Sequence, residues 1–239
     1  MADLLTFSIA SDQQAGRSAG ATRGVSRELP SEGDTTPANR GKVHDHWLSA
    51  GLFAIALFYA TLRYNVFKGV PWTDWPAYTV NKAIAVGSLL LIAAAVIRLT
   101  RHEAGSAILL AWGGMLALCH SLLSFALLSP IYFAKLFDNG KLTASAGLSL
   151  TLGALLLAVM DLGARRARFW GLGLRHTTLA LIAFGTGIHA ALPSVSSWVE
   201  PTSWPGSLPP LTLISFLTGL VTLGVWLKRY RTSSAMQRG

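Results

Sequence analysis

Arg175 to Leu192 reads RHTTLALIAFGTGIHAAL, an apolar run of the length that crosses a hydrocarbon core, with His176 at its start and His189 near its end. A histidine that far inside a hydrophobic span has given up its water and needs a hydrogen bond or a metal in return. Two questions follow: whether the chain holds more runs of this kind, and which of them supplies the partner of His189.

Composition answers the first. The 239 residues are 51% hydrophobic and 13% charged, where a soluble domain carries roughly 25% charged residues. From Trp47 onward, six runs approach the roughly 20 residues needed to span a bilayer at about 1.5 Å rise each. They extend approximately from Trp47 to Tyr64, Lys82 to Ile97, Gly105 to Ser129, Leu142 to Met160, His176 to Leu192 and Leu208 to Leu227. The second and fifth are short, and Pro193 is expected to kink or stop the fifth. The expected fold is an all-α integral membrane protein, a six-transmembrane-helix bundle over residues 43–230, with a short cytoplasmic tail over 231–239.

Residues 1–42 are rich in Gly, Ser, Thr, Asp and Arg and lack a sustained apolar period, so they are expected to form a disordered cytoplasmic tail. The stretch LLTFSIA is short and follows Asp3, which argues against a cleaved signal peptide. Between the first two runs, NVFKGVPWTDWPAYTV has the Pro, Gly, Trp and Tyr content of a surface loop at headgroup depth. Ala83 with Gly87, and Ser149 with Gly153, stand at helical spacing and are expected to let neighbouring helices pack closely.

The net charge of +9 does not point to nucleic acid, because the basic residues flank apolar runs instead of lining one soluble face. They set orientation instead. With a cytoplasmic N-terminus, the inner side collects Arg40, Lys42, Arg98, Arg101, Arg165, Arg166, Arg168, Arg175, Lys228, Arg229 and Arg231. The outer side holds Arg63, Lys68, Lys135 and Lys141, with Lys82 at a span's edge. Both termini are therefore expected on the cytoplasmic side. The cluster ARRAR at Ala164 to Arg168 fits the same rule, although a site for haem propionates or a flavin phosphate would use the same residues. The single cysteine, Cys119, excludes an intrachain disulfide and reads as a small packing residue.

Away from their ends, the six runs contain no Asp, Glu, Lys or Arg; His120 and His189 are the only ionisable side chains there. Proton-coupled transporters and ion channels place carboxylates or charged rings along their pathways, and non-haem iron sites want carboxylates beside histidines. His120 lies 15 residues past Gly105 (120 − 105) and His189 lies 13 past His176 (189 − 176). At about 1.5 Å per residue both stand roughly 20 Å from the inner ends of spans that run in the same direction, so the two can face one another. A haem iron held by two neutral imidazoles asks for this arrangement. For either histidine alone, a hydrogen bond to a carbonyl or hydroxyl would serve as well. His176 stands at the inner end of its run beside Arg175 and reads equally as an interfacial histidine. An inner haem would need a partner near Ser106 or Ala107, and only His102, a turn lower, has the chemistry. His44 and His46, in KVHDHW, have no further ligands nearby and read as a solvated juxtamembrane segment.

Two segments carry a family likeness. RLTRHEAGSAILLAWGGMLALCH, ending at His120, and FWGLGLRHTTLALIAFGTGIHA, with histidines 13 apart, resemble the third and fifth helices of the ferric reductase-like transmembrane domain family. The likeness covers about Leu89 to Pro193 and is nearer to the haem-binding membrane subunits of bacterial methionine sulfoxide reductase systems than to the oxidases, whose two-histidine third helix is not reproduced. The resemblance implies that His120 and His189 are axial ligands of an outer haem b and that His176 matches the inner histidine of the fifth helix. It implies an oxidoreductase membrane subunit of a bacterial cytoplasmic membrane. The sequence shows no G-x-G-x-x-G between strand and helix, so electrons are expected from a separate flavoprotein, FMN or quinol, and an acceptor is expected on the outer face. A non-redox transporter, a scaffold or assembly subunit, and a quinol-linked cytochrome of another helical family are the rival readings.

Overall fold

The computed structural model describes residues 37–101, 106–166 and 171–236; residues 1–36 of the tail expected over 1–42, and His102, lie outside them. The architecture is six long helices: α1 Pro37–Thr61, α2 Val80–Thr100, α3 Ser106–Ala126, α4 Ala144–Arg165, α5 Leu172–Ala191 and α6 Leu211–Met236. Five helical segments, built on α1, α2, α3, α4 and α6, are long and apolar enough to cross a membrane, so the chain has the make-up of a multi-pass membrane protein. In α5 the polar first turns, with Arg175, His176, Thr177 and Thr178, dilute the apolar run. That helix buries Leu179, Ala180, Ile182 and Ala183 against its neighbours.

Helix α2 is the centre. Its most apolar window is 67% buried, against 11% for those of α3 and α4. Each of the four core clusters among the described residues contains α2 side chains: Ala83 and Val86 against Ala56 and Ala60 of α1, Leu91 and Ala95 against Leu109 of α3, and Leu89, Ile92 and Val96 against α5. Small residues bring the backbones close enough for this. A Cβ on Gly113 would lie 2.9 Å from Ile92 Cγ1, and across the same contact the Ser88 hydroxyl donates to the Gly113 carbonyl at 2.8 Å. Gly87 receives Phe53 of α1, as its spacing with Ala83 predicts. Helices α5 and α6 cross where Gly187 meets the Phe216 backbone and Gly219 meets the Ala183 carbonyl.

Where the helices begin and end differs from the sequence reading. Helix α1 starts at Pro37, inside the segment expected as tail, and carries Asp45, 5% exposed, into an ion pair with Arg98 at the end of α2. The short second run becomes a full helix of 21 residues. The expected headgroup loop is mostly wound: π-helical turns cover Leu62–Phe67 and Trp75–Thr79 around a short bend. Asn65 explains the winding. Its amide donates to the Val70 carbonyl at 3.1 Å and its carbonyl accepts from the Thr79 hydroxyl at 2.7 Å, while Trp75 Nε1 donates to Thr61 Oγ1 at 2.9 Å. The side chains satisfy groups that a loop would leave to water.

The connection between α3 and α4 contains a small antiparallel hairpin, β1 Phe137–Asp138 with β2 Lys141–Leu142. Asn139 and Gly140, at φ 48° and 75°, form the left-handed pair that a two-residue hairpin turn requires. We call this the hairpin end of the bundle. At that end Tyr59 donates to the Pro209 carbonyl at 2.8 Å and Arg63 Nη1 donates to the Leu208 carbonyl, tying the end of α1 to the approach to α6.

Candidate functional site

Both core histidines stand near the hairpin end: His120 six residues before the end of α3 (126 − 120) and His189 two before the end of α5 (191 − 189). Their partners differ in kind. His120 Nδ1 lies 2.8 Å from Asn81 Oδ1 and 3.3 Å from Ser124 Oγ, and Asn81 Nδ2 donates to Ser124 Oγ at 3.1 Å. Asn81 is fully buried on α2, and His120 and Ser124 are half-buried. The Asn81 oxygen accepts, which places the proton on His120 Nδ1.

His189 is clasped by α4. Its Nδ1 donates to the Ser149 carbonyl at 2.7 Å, and the Ser149 hydroxyl returns a hydrogen bond to the His189 carbonyl at 2.8 Å. A carbonyl can only accept, so this ring also carries its proton on Nδ1. Gly153 makes room: a Cβ there would lie 2.9 Å from His189 Cε1 and 3.0 Å from Nδ1. In both rings Nε2 keeps its lone pair. The hydrogen bond made by the other ring nitrogen fixes orientation and tautomer, as for metal-ligating histidines.

Helices α3 and α5 hardly touch; each packs on α2, which therefore acts as the common wall behind both rings. Lys82 follows Asn81 directly on α2, its Nζ over the Tyr78 and Phe133 rings. Among the described residues no three of His, Cys, Asp and Glu gather as a metal site.

No family model matches the chain, and no curated protein does. The residues must therefore be judged by their own geometry.

The other histidines stand apart. His176 is half-buried near the start of α5, 13 residues and so roughly 20 Å along the axis from His189. The structure does not bring it to the pair. His44 and His46 are exposed on α1, which is helical there and not a loose segment. His46 Nδ1 accepts from Trp112 Nε1 of α3 at 3.1 Å. Sequence reading missed the second layer: Asn81, Ser124, Ser149 and Gly153. Ser149 and Gly153 were visible as a small-residue pair at helical spacing, and the structure gives that pair a specific occupant, the His189 ring. Asn81 carried a weaker signal, as the one amide side chain at the start of an otherwise apolar run.

Proposed function

We propose that this chain is a b-type haem electron-transfer protein, a six-helix bundle with both termini cytoplasmic. It would pass electrons from a cytoplasmic flavin or quinol donor to an acceptor on the outer face. The observation that carries the reading is the matched state of His120 and His189: two imidazoles on separate helices, each tied through Nδ1 and each left with its Nε2 lone pair. The likeness of the third and fifth helices to the ferric reductase-like family supports it.

The residues present fit the group. Two side-chain nitrogens, with no third ligand among the described residues, make a poor site for a bare metal ion, whereas a porphyrin brings four nitrogens and needs an axial pair from the protein. Haem, when bound, supplies reversible one-electron chemistry. His120 and His189 would hold the iron. Asn81 and the Ser149 carbonyl would keep the rings in the required tautomer. Separation of α3 and α5 along the α2 wall suits a flat macrocycle between them. The rival is a pair of hydrogen-bonded core histidines in a non-redox transporter or scaffold, since each ring's polar need is half met by Asn81 or Ser149 alone.

A reduced-minus-oxidised absorption spectrum of the purified protein, with pyridine haemochromogen quantitation, separates the two. Wild-type protein should contain at least one haem b per chain. His120→Ala and His189→Ala should each lose most of it, while His44→Ala and His46→Ala leave the spectrum unchanged. His176→Ala should keep the outer haem. Colourless wild-type protein, or full occupancy in both ligand variants, would favour the rival.

A further inference from the structure

The hairpin end carries a second constellation, which adjoins the histidine pair through Lys82, next to Asn81. Arg63 and Lys68 lie over the Tyr64 ring, at 6.0 and 5.6 Å from its centroid. Tyr64 packs edge-on against Tyr78, their centroids 5.5 Å apart, and Tyr78 in turn meets Phe133 at 6.4 Å. Lys82 Nζ sits 5.2 Å from the Tyr78 centroid and 4.4 Å from that of Phe133. Three rings in contact are thus met by three cations, and Lys135 follows Phe133 by two residues in the chain.

Like charges do not gather without cause. Lys68, Lys82 and Lys135 repel one another through space, and partial burial first, then Lys135 and Arg63, hold the Lys68 ammonium below the ordinary lysine range. Among the described residues no carboxylate lies within ion-pair distance of these cations. The rings compensate only in part. Arg63 is the sharper observation: it is 7% exposed, one of its nitrogens reaches the Leu208 carbonyl, and its Nε is buried with no hydrogen-bond partner. A guanidinium so held has donors left for a forked anion. Arg63 and Tyr64 lie in one π-helical turn and Tyr78 in the other, a rare geometry that is frequent at functional sites.

We propose that Arg63, Lys68, Lys82 and Lys135 form a phosphate-recognition site whose natural occupant is the headgroup of an anionic phospholipid. The surroundings favour lipid over a soluble anion. Val66, Phe67 and Trp72 flank the cations in sequence and are 53%, 51% and 63% exposed, and Ile131, two residues before Phe133, is 88% exposed. These side chains offer apolar surface to acyl chains beside a charged headgroup site. Lys68 and Lys135 are exposed at its mouth, and Arg63 is buried at its base.

The test uses the full chain in neutral detergent, with thermal unfolding followed as phosphatidylglycerol, phosphatidylcholine or inorganic phosphate is added. Phosphatidylglycerol should raise Tm by about 5 °C at saturation, less so at high salt, with one retained lipid per chain in native mass spectrometry. Arg63→Gln should abolish the shift. Lys68→Gln combined with Lys135→Gln should weaken it several-fold; both side chains are exposed, so this variant keeps the test valid if Arg63→Gln fails to fold. An equal shift from inorganic phosphate would uphold phosphate recognition and assign a soluble source. Equal shifts from phosphatidylcholine and phosphatidylglycerol, no shift from either phosphate source, or unchanged shifts in the variants would overturn the proposal.

Discussion

A single missing methyl group decides where the His189 ring can lie. Gly153 sits so close to Cε1 and Nδ1 that a Cβ would have to displace the imidazole, and displacement breaks the bond from Nδ1 to the Ser149 carbonyl. Gly153→Ala should therefore destabilise the protein despite the better helix propensity of alanine, and under the haem reading it should lower haem content as His189→Ala does. Gly147→Ala is the matched control on α4, where a Cβ meets nothing within 4 Å; there the propensity gain of up to about 1 kcal/mol should show unopposed. Unfolding midpoints and haem spectra of the two variants, measured side by side, check this, and equal behaviour would refute the assigned role of Gly153. Sequence could reveal the histidines because an ionisable residue stands out in an apolar run. It could not reveal their partners, since Ser149 and Gly153 have the ordinary look of close-packing residues and only the fold shows which ring comes between them.

Helix ends were the least legible elements, for a common reason: the interactions that set them join residues distant in the chain. KVHDHW looks polar enough to precede a span, yet α1 runs straight through it because Asp45 finds Arg98, 53 residues away, at the far end of α2. Likewise NVFKGVPWTDWPAYTV has a loop's composition but is wound by Asn65, whose partners include Thr79, 14 residues on. The Asp45 carboxylate is almost fully buried, so its removal takes a buried counter-charge from Arg98 and empties a polar site between α1 and α2. Asp45→Ala should cost about 3 kcal/mol, read as a lower unfolding midpoint in detergent with little change in native helix content. Joint replacement of Asp45 and Arg98 by Leu should recover most of that loss. A single variant as stable as wild type would mean that the pair contributes nothing to holding α1 on α2.

At the scale of the whole molecule, alternation of direction does the work. Asp45 near the start of α1 meets the end of α2, His46 meets Trp112 near the start of α3, and the end of α1 meets the approach to α6. Successive helices therefore run in opposite directions there, and six of them return the end of α6 to the side where α1 begins. Basic residues are distributed unequally between the two ends. Arg98, Arg101, Arg165, Arg166, Arg175, Lys228, Arg229 and Arg231 stand at the end where α1 begins and α6 finishes; Arg63, Lys68, Lys82, Lys135 and Lys141 stand at the hairpin end. Several of the latter are engaged by rings or by a backbone carbonyl. In the proposed topology, retention of Lys and Arg on the cytoplasmic side would put both termini inside and the Asn139–Gly140 turn outside. A reporter active only in the cytoplasm should work when fused after Gly239 and fail when inserted at Asn139, and a reporter active only after export should do the reverse. The opposite pattern would invert the bundle, place His120 and His189 near the cytoplasmic face, and reverse the proposed direction of electron flow.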